Sequence, residues 1–215
     1  MNKLFLKLVV LLAATVQSHA ATLSFIIKDN TGNPLANTVV YLQATSPAPP
    51  SPDTKIRIEQ KGKEFLPFVS VTATGTTALF PNRDGIGHHV YSFSPTKTFE
   101  FPLSEAVTSE SVVLDKAGVI TVGCNIHDWM VGYIYVVDTH WHGVSSEAGQ
   151  LLMDNVPAGD YIIHVSHPGM KTGATLEQAL QITGTEPVQK EFSLDIRPEY
   201  FWKPLRPPEL EEEEY

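Results

Sequence analysis

The residues with the clearest chemical potential lie in one short segment. Cys124 is the only cysteine of the 215-residue chain, and it is followed after three residues by His127 and after three more by Met130. A second source of imidazole, the pair His88 and His89, lies upstream. One thiolate, two imidazoles and one thioether form the ligand set of a mononuclear electron-transfer copper site, trigonal His₂Cys with a weak axial Met. The spacing therefore predicts a copper centre.

The donor types favour copper over other metals. Thiolate and thioether are soft ligands and do not suit hard cations. A structural zinc site usually has four ligands in two matched pairs, such as two C-x-x-C units, and this chain has no second cysteine. A copper enzyme needs an open coordination position or a second copper cluster, and the sequence supplies one obvious complete set. We therefore expect no catalytic residues.

Each ligand candidate also has a simpler explanation. Cys124 could be a buried thiol, His127 a structural histidine and Met130 a residue that fills a gap in the core. A free cysteine taken alone is most often a small buried hydrophobe. The three residues at this spacing, with a histidine upstream at the start of a strand, favour the metal site over three separate explanations.

The predicted strands place the four ligands near one sheet edge. Cys124 ends the apolar strand 119–124, and the tight loop after it contains His127 and Met130. The histidine pair lies just before the predicted strand 90–93. Adjacent residues of a strand face opposite sides, so only one histidine of the pair can reach the metal. The strand period alone leaves either residue as the ligand: His89 could replace His88, support the loop or point outward.

Nearly every ordered segment has the pattern of a short strand between turn residues, so the sequence predicts an all-β fold of the antiparallel sandwich class. Residues 23–27 and 161–165 are clear examples. Residues 176–182 fit a helical turn or a strand equally well. The stretch 46–52 contains four prolines in seven residues and is typical of a linker or an exposed crossover.

The first 20 residues have the pattern of a secretory signal peptide: two lysines, a short apolar run and a small-residue cleavage site, Ser18-His19-Ala20 before Ala21. The run is too short to span a bilayer, so we expect export to the periplasm and no membrane span. Removing residues 1–20 removes Lys3 and Lys7 but no acidic residue, which changes the net charge from −9 to −11. This charge argues against nucleic acid as a partner.

The two ligand segments resemble those of cupredoxins. Residues 81–90 are similar to the Asn-rich loop and first ligand histidine of plastocyanin and amicyanin, and Cys124-x-x-His127-x-x-Met130 has the short ligand loop of amicyanin. Residues 88–94 and 124–133 also resemble exported cupredoxin-like proteins labelled methylamine utilization proteins. The resemblance covers roughly residues 53–138. It implies a cupredoxin Greek-key β-sandwich.

The resemblance also implies a function and a site. The metal ligands would be His88, Cys124, His127 and Met130, and the fold would hold one type 1 (blue) copper for one-electron transfer with a redox partner protein. Neighbouring residues would support the ligands: Asn82, Gly87, His89, Asn125 and Trp129. The alternative is a copper-handling or structural protein in which copper is stabilising or sensed rather than cycled.

A second module is expected around the first. Residues 28–39 resemble the opening of carboxypeptidase regulatory-like (transthyretin-like) β-sandwiches, and residues 147–161 resemble their continuation. We therefore predict a discontinuous module of residues 22–43 with 139–196, interrupted by a cupredoxin domain at 53–138. Strand 23–27 would then pair with strands after residue 150. Residues 197–215 are expected to form an extended acidic tail, with Glu209 and Glu211 to Glu214 near its end.

Two further histidine pairs are present, His140 with His142 and His164 with His167. Alternate residues share one face of a strand, so a second metal site is conceivable. No cysteine or acidic cluster accompanies either pair, which favours surface or loop positions for these histidines.

Overall fold

The computed structural model describes residues 20–46, 55–104, 108–199 and 202–205. Within these ranges the chain forms seventeen strands and no helix, so the all-β prediction is confirmed. No helix among the described residues is long and apolar enough to cross a membrane. The strands are β1 Ala20–Asp29, β2 Val39–Ala44, β3 Lys55–Arg57, β4 Glu59–Gln60, β5 Phe65–Leu66, β6 Val69–Ala73, β7 Thr77–Pro81, β8 His88–Ser94, β9 Lys97–Leu103, β10 Ser109–Val113, β11 Gly118–Cys124, β12 Val131–Val137, β13 His142–Val144, β14 Gln150–Pro157, β15 Gly159–Ser166, β16 Leu176–Ile182 and β17 Val188–Leu194.

Strands β3 to β12 form a central unit with its own hydrophobic core. One sheet has the order β6-β12-β11-β8-β9, a second has the order β10-β7-β3, and β4 pairs with β5 in a short hairpin. Alternating residues of the strands point inward, as the two-residue period of a strand requires. The core between the sheets includes Phe80, Val90, Ile120 and Ile134, each at most 1% exposed.

Strands β1, β2 and β13 to β17 form a flanking unit. Its sheets have the orders β14-β1-β17 and β13-β2-β15-β16. β1 runs antiparallel to β14 and parallel to β17, so a strand from the start of the chain lies between two strands from its end. The inward residues of β1 enter the core: Ala21, Leu23, Phe25 and Ile27. Residues 176–182, which fit two conformations by pattern, form strand β16.

The two units meet on the outer face of β6 and β12. Val39 of the flanking unit packs with Val69 and Tyr135 of the central unit, and all three are buried. Trp202 adds to the junction, since its ring packs 5.8 Å from that of Phe68 and its carbonyl oxygen accepts a hydrogen bond from the hydroxyl of Tyr133 at 2.8 Å. These contacts fix the sheet that contains the ligand candidates against the flanking unit.

Several predictions concern residues outside the described ranges. The signal peptide lies there up to residue 19, as do most of the proline-rich crossover and the acidic end of the tail. The relationship of the flanking unit to carboxypeptidase regulatory-like modules stays a prediction. The strand pairing is nevertheless the one that a discontinuous module needs, because strand 23–27 lies in β1 and pairs with β14 and β17.

Candidate metal centre

The ends of β8 and β11 bring the upstream histidine to the cysteine. Cys124 is the last residue of β11, and it lies opposite Val90 of β8. His88 precedes Val90 by two residues, so its side chain points to the same inner face of the sheet. The burial of the three residues agrees with this arrangement, because His88 is 1%, Val90 0% and Cys124 3% exposed.

Three donor atoms meet at this position. Nδ1 of His88 and Nδ1 of His127 each lie 3.8 Å from Sγ of Cys124. The ligand atoms of the three residues all lie within 4.8 Å of one another, and this is the one such group of His, Cys, Asp and Glu among the described residues. The two imidazole rings are 5.0 Å apart, centroid to centroid.

The donor set fits a single ion of the copper type. With metal–nitrogen bonds of about 2.0 Å and metal–sulfur bonds of about 2.3 Å, two donors around a trigonal ion would be about 3.7 Å apart. The two sulfur–nitrogen separations of 3.8 Å are therefore suited to atoms that share one ion. Imidazole and thiolate together suit copper, and a buried thiolate needs a positive partner.

Met130 closes the loop that contains His127. The N–H of Cys124 donates to the carbonyl oxygen of Met130 at 3.3 Å, and the N–H of Met130 donates to that of His127 at 2.9 Å. Met130 is 2% exposed and belongs to the same hydrophobic cluster as Cys124. The structure therefore gathers all four predicted ligand residues at the ends of β8 and β11 and in the loop before β12.

His89 lies on the opposite face of β8. Its Nε2 is 2.9 Å from a carboxylate oxygen of Glu100 on β9, and its side chain is 28% exposed. Of the histidine pair, the structure brings His88 and not His89 to Cys124. The side chain of His89 also does not support the ligand loop, although its carbonyl oxygen accepts a hydrogen bond from the N–H of Asn125 at 2.9 Å.

Asp84 belongs to the site, and the sequence reasoning missed it. Its Oδ2 lies 2.9 Å from Nε2 of His88, and its side chain is only 9% exposed. Burial raises the pKa of this carboxyl, but N–H donors of Lys63 and Gly62 and the ring of His88 outweigh burial and hold the pKa below its usual value. The signal available in the sequence was the i, i+4 spacing of Asp84 and His88 within the Asn-rich loop.

The other predicted supporting residues shape the two ligand segments. Asn82 orders the loop before β8, since its side-chain amide donates to the carbonyl oxygen of Ile86 at 2.6 Å. Gly87 lies next to the ligand loop, because a Cβ atom there would be in ordinary contact, at 3.9 Å, with the side chain of Ile126. Asn125 is exposed and contributes its backbone N–H.

Trp129 connects the ligand loop to the β4–β5 hairpin. Its indole N–H donates to the carbonyl oxygen of Lys63 at 3.2 Å. Its ring lies edge-on to that of His127, with the centroids 5.4 Å apart. Trp129 is therefore packed directly against one of the donor rings.

The expectation of surface or loop positions for the remaining histidines is wrong for His164, which is buried within β15, whereas His167 follows β15 in a loop but is also buried. His164 is 6% exposed, stacks on Tyr41 at 4.5 Å and lies 3.0 Å from the side-chain oxygen of Gln43. His167 is 3% exposed and lies edge-on to Trp202 at 4.6 Å. The aromatic rings of other segments bury both, which sequence spacing alone does not reveal. Burial lowers the pKa of each.

Part of this chain is similar to solved structures of cupredoxins. A mutant of amicyanin in its oxidised state is 17% identical over 38% of this chain and 81% of its own, with a TM-score of 0.34. A purple cupredoxin from Nitrosopumilus maritimus is 25% identical over 40% of this chain and 100% of its own, with a TM-score of 0.33. Oxidised plastocyanin from Dryopteris crassirhizoma is 19% identical over 38% of this chain and 100% of its own, with a TM-score of 0.35.

No protein-family model matches the chain, and no curated protein matches it by sequence.

Proposed function

We propose that this protein is an exported one-electron carrier with a single type 1 copper ion held by His88, Cys124, His127 and Met130. One observation supports the proposal above all. A buried thiol lies at the same distance, 3.8 Å, from the Nδ1 atoms of two histidines that come from different strands and loops. When bound, copper would supply a redox couple that exchanges one electron.

The protein residues would make that exchange fast by keeping the donors in place. Cys124 and His88 are fixed by the pairing of β8 with β11, and the hydrogen bonds of the Met130 main chain fix the loop. A rigid donor set suits both oxidation states with little rearrangement. Hydrogen bonds to the ligands and the thioether of Met130 would then tune the reduction potential.

The surface beside His127 is the proposed contact for a redox partner. His127 is half-buried, whereas His88 is enclosed, so a partner approaches the site from the His127 side. Three large apolar side chains are exposed near this end of the central unit: Leu66 at 38%, Ile86 at 39% and Ile126 at 55%. An apolar surface around a half-buried ligand suits a short-lived complex between two proteins.

The test is the addition of copper(II) to the metal-free protein. An intense visible thiolate-to-copper band should appear, and Cys124→Ser should abolish it without unfolding the protein. A wild-type protein that stays colourless would end the proposal. Reversible oxidation and reduction with the metal retained would favour an electron carrier. Ready transfer of the metal to a chelating protein would favour the copper-handling alternative.

A further inference from the structure

The two imidazole rings are connected by a second route that does not pass through Cys124. From His88 the route runs through the carboxylate of Asp84 to the backbone N–H groups of Gly62 and Lys63. From the carbonyl oxygen of Lys63 it continues through the indole of Trp129. The ring of Trp129 then packs on that of His127. We call Gly62, Lys63, Asp84 and Trp129 the outer network.

The turn between β4 and β5 gives the outer network its geometry. The N–H of Lys61 donates to the carbonyl oxygen of Glu64 at 3.0 Å, and both residues between them have positive φ, 64° for Gly62 and 57° for Lys63. A type I′ turn has this conformation. A non-glycine residue in the left-handed region is uncommon and costs free energy, so the surroundings must favour it.

The turn presents two N–H groups to one carboxylate. The N–H of Gly62 donates to Oδ1 of Asp84, and the N–H of Lys63 donates to Oδ2 at 2.9 Å. Neighbouring backbone N–H groups of a turn form a natural anion site. The carboxylate is thereby oriented so that Oδ2 also faces Nε2 of His88.

This orientation sets the tautomer of His88. An ionised carboxylate only accepts hydrogen bonds, so Nε2 of His88 has the proton and donates it to Asp84. Nδ1 is then left with a lone pair directed toward Cys124, which is the form that binds a metal. Carboxylates that accept from the far nitrogen of a histidine have this effect at metal sites generally.

We propose that Asp84 and Trp129 are positioning residues that act through the Gly62–Lys63 turn. Together they hold the rings of His88 and His127 at their metal-binding separation before the ion arrives. The outer network takes the supporting role that the sequence suggested for His89, whose side chain faces away from the site. This inference rests on the proposed copper site, but it also predicts properties of the metal-free protein.

The chain offers a matched control for Asp84. His88 and His89 are neighbours, and each has its Nε2 at 2.9 Å from one carboxylate, Asp84 on the inner face and Glu100 on the outer face. Asp84→Asn disturbs the pair of Asp84 with His88, and Glu100→Gln makes the same chemical change in the pair of Glu100 with His89. A general effect of charge or of the β8 strand would appear in both variants.

The experiment measures copper(II) affinity by competition with a chelator, together with the nitrogen resonances of His88 in the metal-free protein. Asp84→Asn should weaken the affinity about 10- to 100-fold, the usual effect of losing a partner of a metal-binding histidine. It should also broaden or shift the Nε2–H resonance of His88. Trp129→Phe, which removes the indole N–H, should weaken the affinity about fivefold. Glu100→Gln should leave affinity and resonance unchanged.

The double variant distinguishes one network from two separate effects. If the outer network acts as a unit, Asp84→Asn combined with Trp129→Phe should weaken binding by less than the product of the single effects. Product behaviour would overturn the single network. If Asp84→Asn folds and binds copper(II) with native affinity, Asp84 does not have the proposed role. If Asp84→Asn does not fold, native affinity in Trp129→Phe would overturn the inference. A wild-type protein without copper affinity would contradict the proposed function. The positioning of His88 would still be tested in the metal-free protein, by comparing its Nε2–H resonance between wild type and Asp84→Asn.

Discussion

The backbone N–H of Cys124 donates to the carbonyl oxygen of Met130 at 3.3 Å and so closes the loop between β11 and β12. The loop is therefore held by its main chain at both ends, and its closure does not depend on the side chain of residue 130. This separation allows the thioether to be changed without opening the loop.

Met130→Leu should retain the thiolate-to-copper band but raise the reduction potential. A thioether donates electron density to copper(II), so its removal favours copper(I). The two side chains have similar volumes, and the free energy of unfolding of the metal-free protein should change by less than about 1.5 kcal/mol. Voltammetry and denaturant unfolding measure the two effects. Met153→Leu, in the core of the flanking unit, should leave the potential unchanged. An unchanged potential in both variants would contradict a role of the Met130 thioether as a copper ligand.

His88→Ala and His89→Ala should have opposite outcomes although the residues are adjacent. Removing the buried His88 should abolish the copper band and lower the free energy of unfolding by about 2 kcal/mol or more, because a cavity forms beside Asp84. His89→Ala removes a half-exposed pair with Glu100, and such pairs contribute about 0–1 kcal/mol, so the band should persist. Absorption spectra of the two copper-loaded variants decide the assignment. Loss of the band in His89→Ala alone would reverse it.

The sequence predicted those parts of the site that depend on local spacing. Cys124 ends β11, His127 and Met130 lie in the short loop after it, and the two-residue period of a strand separates His88 from His89. Asp84 was missed because its partner Lys63 lies 21 residues earlier and reaches it only through the turn conformation.

The burial of the second pair of histidines was missed for the same physical reason. Trp202 covers His167 from a position 35 residues later in the chain. Tyr41 covers His164 from β2, which is far from β15 in sequence although the two strands are paired. Contacts between segments so far apart in the chain leave no periodic signal in the sequence. The positions of the strands could be predicted, whereas the contacts between their side chains could not.

Trp202→Ala should destabilise the protein by about 3 kcal/mol, the usual cost of truncating a buried aromatic residue. Trp202 is 9% exposed and contacts Phe68 and His167, one from each unit. Denaturant unfolding followed by circular dichroism measures the loss. Leu205→Ala is the control from the same segment, since Leu205 is 76% exposed and should change stability by no more than about 0.5 kcal/mol. Equal stabilities of the two variants would show that Trp202 does not hold the units together.

His167 should make the protein less stable as the pH falls from about 6.5 to about 4. Burial lowers the pKa of this histidine from 6.5 to about 4, and a backbone hydrogen bond with Ala36 opposes the shift in part. The Nδ1 atom of the ring accepts a hydrogen bond from the N–H of Gly169 at 2.9 Å. Between those two pH values the unfolded chain binds a proton that the folded protein does not, so the free energy of unfolding rises with pH. The contribution is complete above the unfolded pKa and amounts to about 3 kcal/mol.

The pH dependence can be assigned to His167 by comparison with His167→Asn, whose side-chain oxygen can still accept from Gly169. His142 and His164 also have pKa values lowered by burial. Their contributions have the same sign, so only the difference between wild type and variant isolates His167. Thermal or denaturant unfolding from pH 4 to pH 7 should show a shallower slope in His167→Asn. Identical slopes would mean that the folded protein and the unfolded chain take up a proton at His167 in the same pH range, so that burial does not lower its pKa.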